Sequence, residues 1–289
     1  MRERIRAASA RGHIGQRINH ATELAGRAWH LIDHTARRAS ELEGRVTHLE
    51  RLASIEATMR WIEQATVPHD VLVSVLTVTR NRSDLLPEAI ASLQAQAYPN
   101  WELILVDDGS NPEHAAAASA ITAADSRIVA VAPAGRGLAA GRNTARRAAS
   151  GSLITHLDDD NLMHPLWLKA VVWGFGQRPD VDIFCGARLI DDVERAAGLS
   201  TPGLPAVQFE EVDHTVLERR MQTDSGSIAH RASVETRSDE RFARNDDWDW
   251  LARATRTHPY ASLPCIAQTY RTNAVNRLSG SVTTIAESG

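Results

Sequence analysis

The chain contains 289 residues, of which 43% are hydrophobic and 24% are charged, and its formal net charge is -4. This length accommodates one large α/β domain with an additional segment, and the composition is typical of an ordinary globular protein. The slight excess of acidic groups excludes wholesale binding of nucleic acid through a basic surface.

Residues 1–66 are predicted to be helical and differ in composition from the rest of the chain. They contain no proline, and an apolar stripe recurs at steps of three and four, which places it on one helical face. Arg45, Glu56 and Glu63 fall where a strict coiled-coil seam requires apolar groups. Three interpretations stay open: a coiled coil that joins the subunits of a homo-oligomer, a helix packed on its own domain, and peripheral contact of the Arg-rich first turns with anionic lipid. The members of the stripe are Leu42, Val46, Leu49, Leu52, Ile55, Met59 and Ile62.

Pro68 marks a break, and beyond it strands and helices are predicted to alternate. Helices are predicted from Ser83, which supplies the cap, over residues 112–124, and in ARRAAS after a glycine-containing loop, AGRGLAAGRN. This alternation implies a mostly parallel sheet that is covered by helices on both faces. The predicted strands are VLVSVLTV at 71–78, WELILVDDG at 101–109, RIVAVA at 127–132 and GSLITHLDDD at 151–160.

Three polar motifs lie at the ends of predicted strands: TVTRNR, DDGS and LDDDN. Ligands of such sheets bind beyond the carboxyl ends of the strands, so we expect the three motifs to meet in one crevice. The acids of these motifs are therefore predicted to belong to a binding site.

The last of these motifs contains three consecutive aspartates, whose mutual repulsion requires a compensating partner. In an extended segment, Asp158 and Asp160 point to the same side and Asp159 to the opposite one. Two carboxylates on one side suit Mg²⁺ or Mn²⁺, which accept oxygen ligands at about 2.1 Å and keep phosphate oxygens and waters in the rest of the shell. Without a metal, the pKa of at least one of these acids should be raised. The alternative is that the acids cap the N-terminus of a helix.

Two stretches of the chain, VSVLTVTRNRSDLLPEAIASLQAQAYPNWELILVDDGSN and GLAAGRNTARRAASGSLITHLDDDNLMHPLWL, resemble the nucleotide-binding half of the family 2 glycosyltransferases. The resemblance implies the GT-A fold, with a Rossmann-like nucleotide-binding half and a mixed, mostly parallel sheet. It also implies a metal-dependent, inverting transfer of a sugar from a nucleoside-diphosphate sugar, in the first place a UDP-sugar, to an acceptor hydroxyl. The implied layout is a GT-A domain at 67–280, divided into a donor half at 67–183 and an acceptor half at 184–280, and a tail at 281–289.

The resemblance implies which residues bind the nucleoside of the donor. Thr77, Thr79 and Arg80, at the end of the first strand, would border the base. Asp108 would accept a hydrogen bond from a uracil ring, with Asp107 as the second candidate.

The same resemblance assigns the diphosphate and the metal. Arg142, in the GRN motif, would face the base or the diphosphate. The triple aspartate corresponds to the DXD motif of the family, in which Asp160 binds Mn²⁺ or Mg²⁺. Asp158 or Asp159 would reach the ribose or the water shell of the metal, and Asp158 is the second candidate metal ligand.

In the second half, RSDERFARNDDWDWLARATR resembles the acidic motif of the family, usually Glu-Asp-x-Asp at a helix start. Aligned on DWDW, Asp246 takes the place of the Glu and Asp247 that of the catalytic Asp, and either neighbour is a candidate base. An inverting transfer needs a carboxylate that takes the proton of the attacking hydroxyl, and such a base contributes about 10²–10⁴-fold in rate. The structural alternative is an acid-rich helix N-terminus with two Trp residues in the core.

The segment SGSIAHR resembles the strand that borders the acceptor in the family. It implies that Asp224, Ser225 and His230 contact the acceptor, although Ser and Gly are also ordinary turn residues. The acceptor could be a glycan, a lipid-linked intermediate, a natural product or a protein, and residues 192–215 are predicted to form a loop over the crevice.

Two other functions are alternatives to glycosyl transfer. A nucleotidyltransferase usually has a basic, glycine-rich loop after the first strand, which TVTRNRSD lacks. A catalytically silent scaffold on a helical stalk is disfavoured by the intact acidic motifs. Cys185 and Cys265 follow no metal-ligand spacing, and no apolar run reaches the length of a membrane span, so we expect a cytoplasmic protein with at most peripheral membrane contact.

Overall fold

The computed structural model describes residues 2–191 and 206–271, so the predicted tail at 281–289 lies outside the described residues. The chain divides into two compact units, Met1–Glu50 and Arg51–Gly289. The helices are α1 (Arg2–Gln64), α2 (Leu86–Gln94), α3 (Pro112–Ala124), α4 (Leu138–Ala148), α5 (Trp167–Gln177), α6 (His214–Leu217) and α7 (Asp246–Ala254). The strands are β1 (Val73–Thr79), β2 (Trp101–Asp107), β3 (Ile128–Val131), β4 (Leu153–His156), β5 (Leu162–Met163), β6 (Ile183–Ile190), β7 (Val207–Gln208), β8 (Ile228–Arg231) and β9 (Tyr260–Tyr270).

The strands form one mixed sheet in the order β3-β2-β1-β4-β8-β6-β9-β5, with β7 paired to β6. Strands β3, β2, β1 and β4 are parallel neighbours. Strand β8 runs antiparallel to β4 and β6, whereas β6 and β9 are parallel. This arrangement confirms the predicted α/β fold with a mixed sheet and an N-terminal helix. It also aligns the carboxyl ends of β1, β2 and β4, which carry the three polar motifs.

The apolar stripe of α1 divides into two parts with different surroundings. Ile55 and Ile62 are 3% and 0% exposed because they pack into apolar clusters of the second unit. Leu42, Val46 and Leu49, in the first unit, are 52%, 53% and 47% exposed. The interpretation as a helix packed on its own domain therefore applies to the last turns of α1. The coiled-coil interpretation remains a prediction for the turns before them.

The start of α2 differs from the prediction. The helix begins at Leu86, with Pro87 in its first turn and no side-chain cap, and not at Ser83. The hydroxyl of Ser83 instead forms a hydrogen bond with Nδ1 of His114 (2.6 Å). Proline suits the first helical turn because it has no N–H to leave unsatisfied.

The glycine-containing loop before α4 is shorter than predicted. The helix begins at Leu138, so Gly141 and Arg142 are helical. A Cβ at Gly141 would lie 2.7 Å from Cγ1 of Val78 on β1, so only glycine allows α4 to approach the sheet this closely. This approach buries Arg142, which is 7% exposed.

The loop predicted at 192–215 is described only from residue 206, and β7 and the start of α6 lie in this part. Among the described helices, none combines the length and the apolar character that crossing a bilayer requires.

Candidate active site

The three consecutive aspartates lie in a turn that follows β4. The backbone N–H of Asn161 donates to the carbonyl of Asp158 (3.1 Å), and the chain is not extended there. The prediction that Asp158 and Asp160 share one side of an extended segment is therefore wrong, because side chains alternate only along extended backbone. The helix-cap alternative is also wrong, since α5 begins at Trp167 and has no acid in its first turn.

The aspartates of this turn have different partners. Asp159 accepts a hydrogen bond from the hydroxyl of Thr79, at the end of β1 (2.8 Å). Asp160 forms a buried ion pair with Arg82 (3.2 Å). The side chain of Asp158 is the most open to solvent, with 30% exposed. The turn after β4 thus meets the loop after β1, as the strand-end rule predicted.

Burial dominates the ionisation of two of these acids, Asp158 and Asp159. It raises the pKa of Asp158 to about 7, against the opposing charge of Arg142, and neighbouring carboxylates add to the shift. Burial also raises the pKa of Asp159 to about 6, against the hydrogen bond from Thr79. A raised pKa was expected at this motif, although burial contributes more than the neighbouring acids do. Both carboxyl groups therefore ionise less readily than a free aspartate, and a cation beside them would favour their charged form.

Two residues predicted to border the base have different surroundings. The buried hydroxyl of Thr77 donates to the carbonyl of Leu157 (2.8 Å), which joins β1 to the end of β4. Arg80 is exposed. Arg80 is thus open to a ligand, whereas the hydroxyl of Thr77 already has an internal partner.

The two aspartates at the end of β2, Asp107 and Asp108, both accept backbone hydrogen bonds. Both carboxylate oxygens of Asp108 accept from the N–H of Gly137, at 2.9 and 3.0 Å. Asp107 accepts from the N–H of Ser110 (2.8 Å). Asp108 therefore fixes the loop before α4, and its predicted contact with the base would have to use its remaining lone pairs.

Arg142 joins acids from the turn after β4 and from the start of α7. Its guanidinium donates to Asp246 (2.7 Å) and to the hydroxyl of Ser225 (2.7 Å), and it lies 3.4 Å from Asp158. Burial alone would lower the pKa of Arg142, but the carboxylates of Asp246, Asp247 and Asp158 outweigh burial and raise it. The contact of Arg142 with the base or diphosphate stays a prediction, since the side chain faces acids in this structure.

The N-terminus of α7 supplies three further acids. Asp246, Asp247 and Asp249 all lie in its first turn. Asp249 pairs with Arg253 on the same helix (2.6 Å), which fits the structural alternative for this motif. Asp247 instead accepts from the backbone N–H of Ser225 (3.1 Å), and Asp246 is 1% exposed. Two of the three acids therefore face the site.

A pocket adjoins Asp247. Burial raises the pKa of Asp247, while Arg142 opposes this shift and Asp246 increases it. Burial also lowers the pKa of His230 to about 4, and its Nδ1–H donates to the carbonyl of Arg231 (2.8 Å). The lining of the pocket includes Arg142, His156, Ser225, His230, Asp247 and Trp250.

The predicted acceptor residues do not all point to the same place. Ser225 lies between Arg142 and Asp247, at the centre of the site. Asp224 is buried and accepts hydrogen bonds from Arg188 and Gln268. His230 packs against Trp250 (4.9 Å between ring centroids) and faces the pocket.

Three polar residues of the site were missed by the sequence prediction. Arg82 lies in the TVTRNR motif, beyond the end of β1. The alternation of side chains along a strand does not extend to it, so the sequence did not indicate which arginine points inward. Arg188 and Gln268 are paired neighbours on β6 and β9, both adjacent to Asp224. No local motif marks the last two, and only strand pairing between distant segments brings them together.

The described residues fit a metal that arrives with a phosphate ligand. In the part of the chain that the structure describes, no group of three or more His, Cys, Asp or Glu side chains is arranged to hold a metal. Mg²⁺ usually binds through one or two carboxylates and completes its shell with phosphate oxygens and water. Asp160 and Asp158 would supply those carboxylates, and a bound cation would lower the raised pKa of Asp158 because it favours the charged form.

Comparison with known proteins shows which sequences this chain is similar to. The model of the family described as Glycosyl transferase family 2 matches residues 74–236. The protein CgeD of Bacillus subtilis is 30% identical over 172 residues, which cover 56% of this chain and 38% of CgeD. WfgD of Escherichia coli, a UDP-Glc:alpha-D-GlcNAc-diphosphoundecaprenol beta-1,3-glucosyltransferase, is 35% identical over 94 residues, which cover 32% of this chain and 36% of WfgD. The chain therefore spans less than half the length of these curated relatives.

The fold also resembles solved structures. The crystal structure of S. aureus TarS 1–349 in complex with UDP-GlcNAc superposes with a TM-score of 0.58. The match covers 73% of this chain and 61% of that one, at 15% sequence identity. At this identity the likeness concerns the fold alone.

Proposed function

Since the chain belongs to the glycosyl transferase family 2, we propose that it is a metal-dependent, inverting glycosyltransferase that uses a nucleoside-diphosphate sugar. Membership in this family favours glycosyl transfer over the nucleotidyl transfer and the silent scaffold that the sequence left as alternatives. The observation that carries the proposal is the position of Arg142 between Asp158, in the donor motif, and Asp246, at the start of α7.

The donor is proposed to be a UDP-sugar that lies across the ends of β1, β2 and β4. Thr79, Arg80, Asp107 and Asp108 border the nucleoside, and Asp158 or Asp159 reaches the ribose or the water shell of the metal. The name of WfgD, which specifies UDP-Glc, supports a uridine nucleotide, and TarS, which shares the fold, was solved with UDP-GlcNAc. Residues 67–183 then form the donor half, and residues 184–280 the acceptor half.

Asp247 is proposed to act as the general base, with Asp246 as the alternative. The acceptor oxygen attacks the anomeric carbon from the face opposite the diphosphate, its proton passes to a carboxylate oxygen of Asp247, and the bond from the sugar to the diphosphate breaks. Asp246 is the weaker candidate because its carboxylate is already bound to Arg142 (2.7 Å). The N–H of Ser225 holds the carboxylate of Asp247 in place.

A bound Mn²⁺ or Mg²⁺, held by Asp160 and Asp158, would stabilise the charge of the departing diphosphate. The acceptor contributes a hydroxyl, and Ser225, Asp224 and His230 are proposed to contact it. Glycans, lipid-linked intermediates, natural products and proteins all provide such a group.

Release of UDP tests the proposal directly. We expect UDP to form slowly from UDP-sugars in the presence of Mn²⁺ or Mg²⁺, and a panel of UDP-, dTDP- and GDP-sugars to raise the melting temperature most with the uridine donors. Absence of both nucleotide release and any thermal shift across the panel would contradict the proposed reaction.

Replacement of Arg142 should change how the reaction depends on pH. The positive charge of Arg142 opposes the raised pKa of Asp247, so Arg142→Met should raise that pKa further. A base must be ionised to accept a proton, and the acidic limb of the pH–rate profile should therefore move to higher pH. Arg142→Lys keeps the positive charge but cannot contact Asp246, Asp158 and Ser225 together. It should therefore leave the acidic limb of the profile at its wild-type pH and lower turnover.

The matched control for this experiment is Arg147→Met, which removes an exposed arginine from the same helix and should leave the profile unchanged. A profile that Arg142→Met does not shift would show that the charge of Arg142 does not act on the base.

A further inference from the structure

The first unit carries an exposed apolar line along α1 that differs from the stripe predicted from the sequence. Eight uncharged residues recur at steps of 4, 3, 4, 4, 3, 4 and 3, which keeps them on one face of the helix. All eight are exposed, and the five large ones are between 47% and 67% exposed. This seam consists of Leu24, Ala28, Leu31, Thr35, Ala39, Leu42, Val46 and Leu49.

Two of the charges that interrupt the predicted stripe, Glu56 and Glu63, lie outside this exposed seam. They interrupt the stripe only if it continues as one seam to Ile62. Because Ile62 is buried in the second unit, the seam has no reason to extend beyond residue 50. Arg45 then lies beside Val46, on the flank of the seam and not in it.

We propose that the seam pairs with the same seam of a second copy of this chain, as a parallel, in-register two-stranded coiled coil. In heptad notation, Val46 occupies an a position, and Leu42 and Leu49 occupy d positions. A β-branched residue at a with Leu at d favours two strands. The single extra step of four, between Thr35 and Ala39, is a stutter that coiled coils accommodate by local unwinding.

The charges beside the seam determine the orientation of the two helices. Arg38 and Arg45 fall at g positions on one flank, and Glu43 and Glu50 fall at e positions on the other. In a parallel pair, each g residue faces the e residue five positions later on the partner. Arg38 then meets Glu43 of the second copy, and Arg45 meets Glu50. An antiparallel pair would place arginine against arginine, so the pattern favours the parallel arrangement.

The length of the seam is sufficient for such a pair. Residues 24–49 span about 39 Å at 1.5 Å per residue, which is more than three heptads. In the part of the chain that the structure describes, no intrachain ion pair involves the four flanking charges. They are therefore available to a second copy.

Sedimentation velocity of the full chain tests the association. We expect a species of twice 31.6 kDa at micromolar concentration. Leu42→Glu combined with Leu49→Glu should give the mass of one chain, because the two substitutions place charges in the seam. The control, Trp29→Glu, changes an exposed apolar residue (70% exposed) off the seam and should remain dimeric. A wild-type chain that sediments as a monomer, or a dimer that survives the double substitution, would overturn the proposal.

Cysteine crosslinking tests the orientation and register. Leu49→Cys should form a disulfide between copies in mild oxidant, since equivalent d positions meet in a parallel pair. Thr47→Cys, on the outer face, should not. The native Cys185 and Cys265 are buried, so the background is low. A dimer in which Thr47→Cys crosslinks and Leu49→Cys does not would show that the seam is not the interface.

A charge exchange tests the flanking pairs independently of the apolar seam. Arg45→Glu should weaken the dimer, because it faces Glu50 of the partner, and Arg45→Glu with Glu50→Arg should restore the dissociation constant. If the double variant does not recover the dissociation constant of the wild type, the register that this pairing requires is ruled out.

Discussion

An Asp247→Asn variant is expected to lose at least about a hundredfold in turnover and to retain its affinity for UDP. The amide oxygen of Asn can still accept from the N–H of Ser225, so the start of α7 should keep its position. The amide cannot take the proton of the acceptor hydroxyl at neutral pH, and catalysis by the base is lost. Turnover is measured as sugar transfer or UDP release, and affinity for UDP is measured by calorimetry.

Two further variants make this result specific. Asp249→Asn removes an acid from the same helical turn, but this acid pairs with Arg253, and turnover should change little. Asp246→Asn should lower turnover less than Asp247→Asn, because Asp246 acts on the reaction only through Arg142. If Asp247→Asn is fully active and Asp246→Asn is inactive, the roles of the two neighbours must be exchanged.

The meeting of the three polar motifs at one edge of the sheet could be predicted, because it depends on the topology of the strands. Parallel strands that alternate with helices bring their carboxyl ends to one edge, and the register Thr79 to Asp107 shows that β1 and β2 end together. The chain then turns back at β8 and α7. The sequence predicted this second half only through its resemblance to a family, since no local pattern indicates that Asp246 will meet Arg142 across 104 positions.

The orientation of individual acids could not be predicted from their spacing. The alternation rule assumes extended backbone, and Asp158 begins a turn closed by the N–H of Asn161. Whether the chain continues as a strand or turns depends on hydrogen bonds with β1, such as that from Leu157 to Leu76 (3.0 Å). These contacts come from distant segments, so a local window of sequence does not contain them.

The stripe of α1 illustrates a related point about amphipathic helices. Periodicity predicted correctly that one face is apolar, but it does not indicate what covers each part of that face. Ile55 and Ile62 are buried in the second unit, whereas Leu42 and Leu49 are about half exposed. The change from exposed to buried surroundings along one helix explains why Glu56 interrupts a stripe that was treated as a single seam.

Loss of metal-dependent nucleotide binding is the effect expected from Asp160→Ala. Calorimetric titration of the wild-type chain with UDP should give tighter binding with Mn²⁺ than with a chelator. The variant should bind UDP equally weakly under both conditions, because the proposed ligand that connects the cation to the protein is absent. Asp182→Asn, which alters an ion-paired acid near Arg231 and His258, is the matched control and should keep the metal dependence.

The ion pair of Asp160 with Arg82 makes a second variant necessary. The two side chains are 11% and 9% exposed, and removal of one partner of a buried pair costs about 3–5 kcal/mol in stability. Asp160→Asn retains the shape and an acceptor oxygen for Arg82 and should fold more securely, yet it lacks the charge that a divalent cation requires. If folded Asp160→Asn gains as much affinity for UDP from Mn²⁺ as the wild type does, then Asp160 does not bind the metal. If its affinity for UDP falls equally in the chelator and in Mn²⁺, the residue acts on the nucleotide and not through a cation.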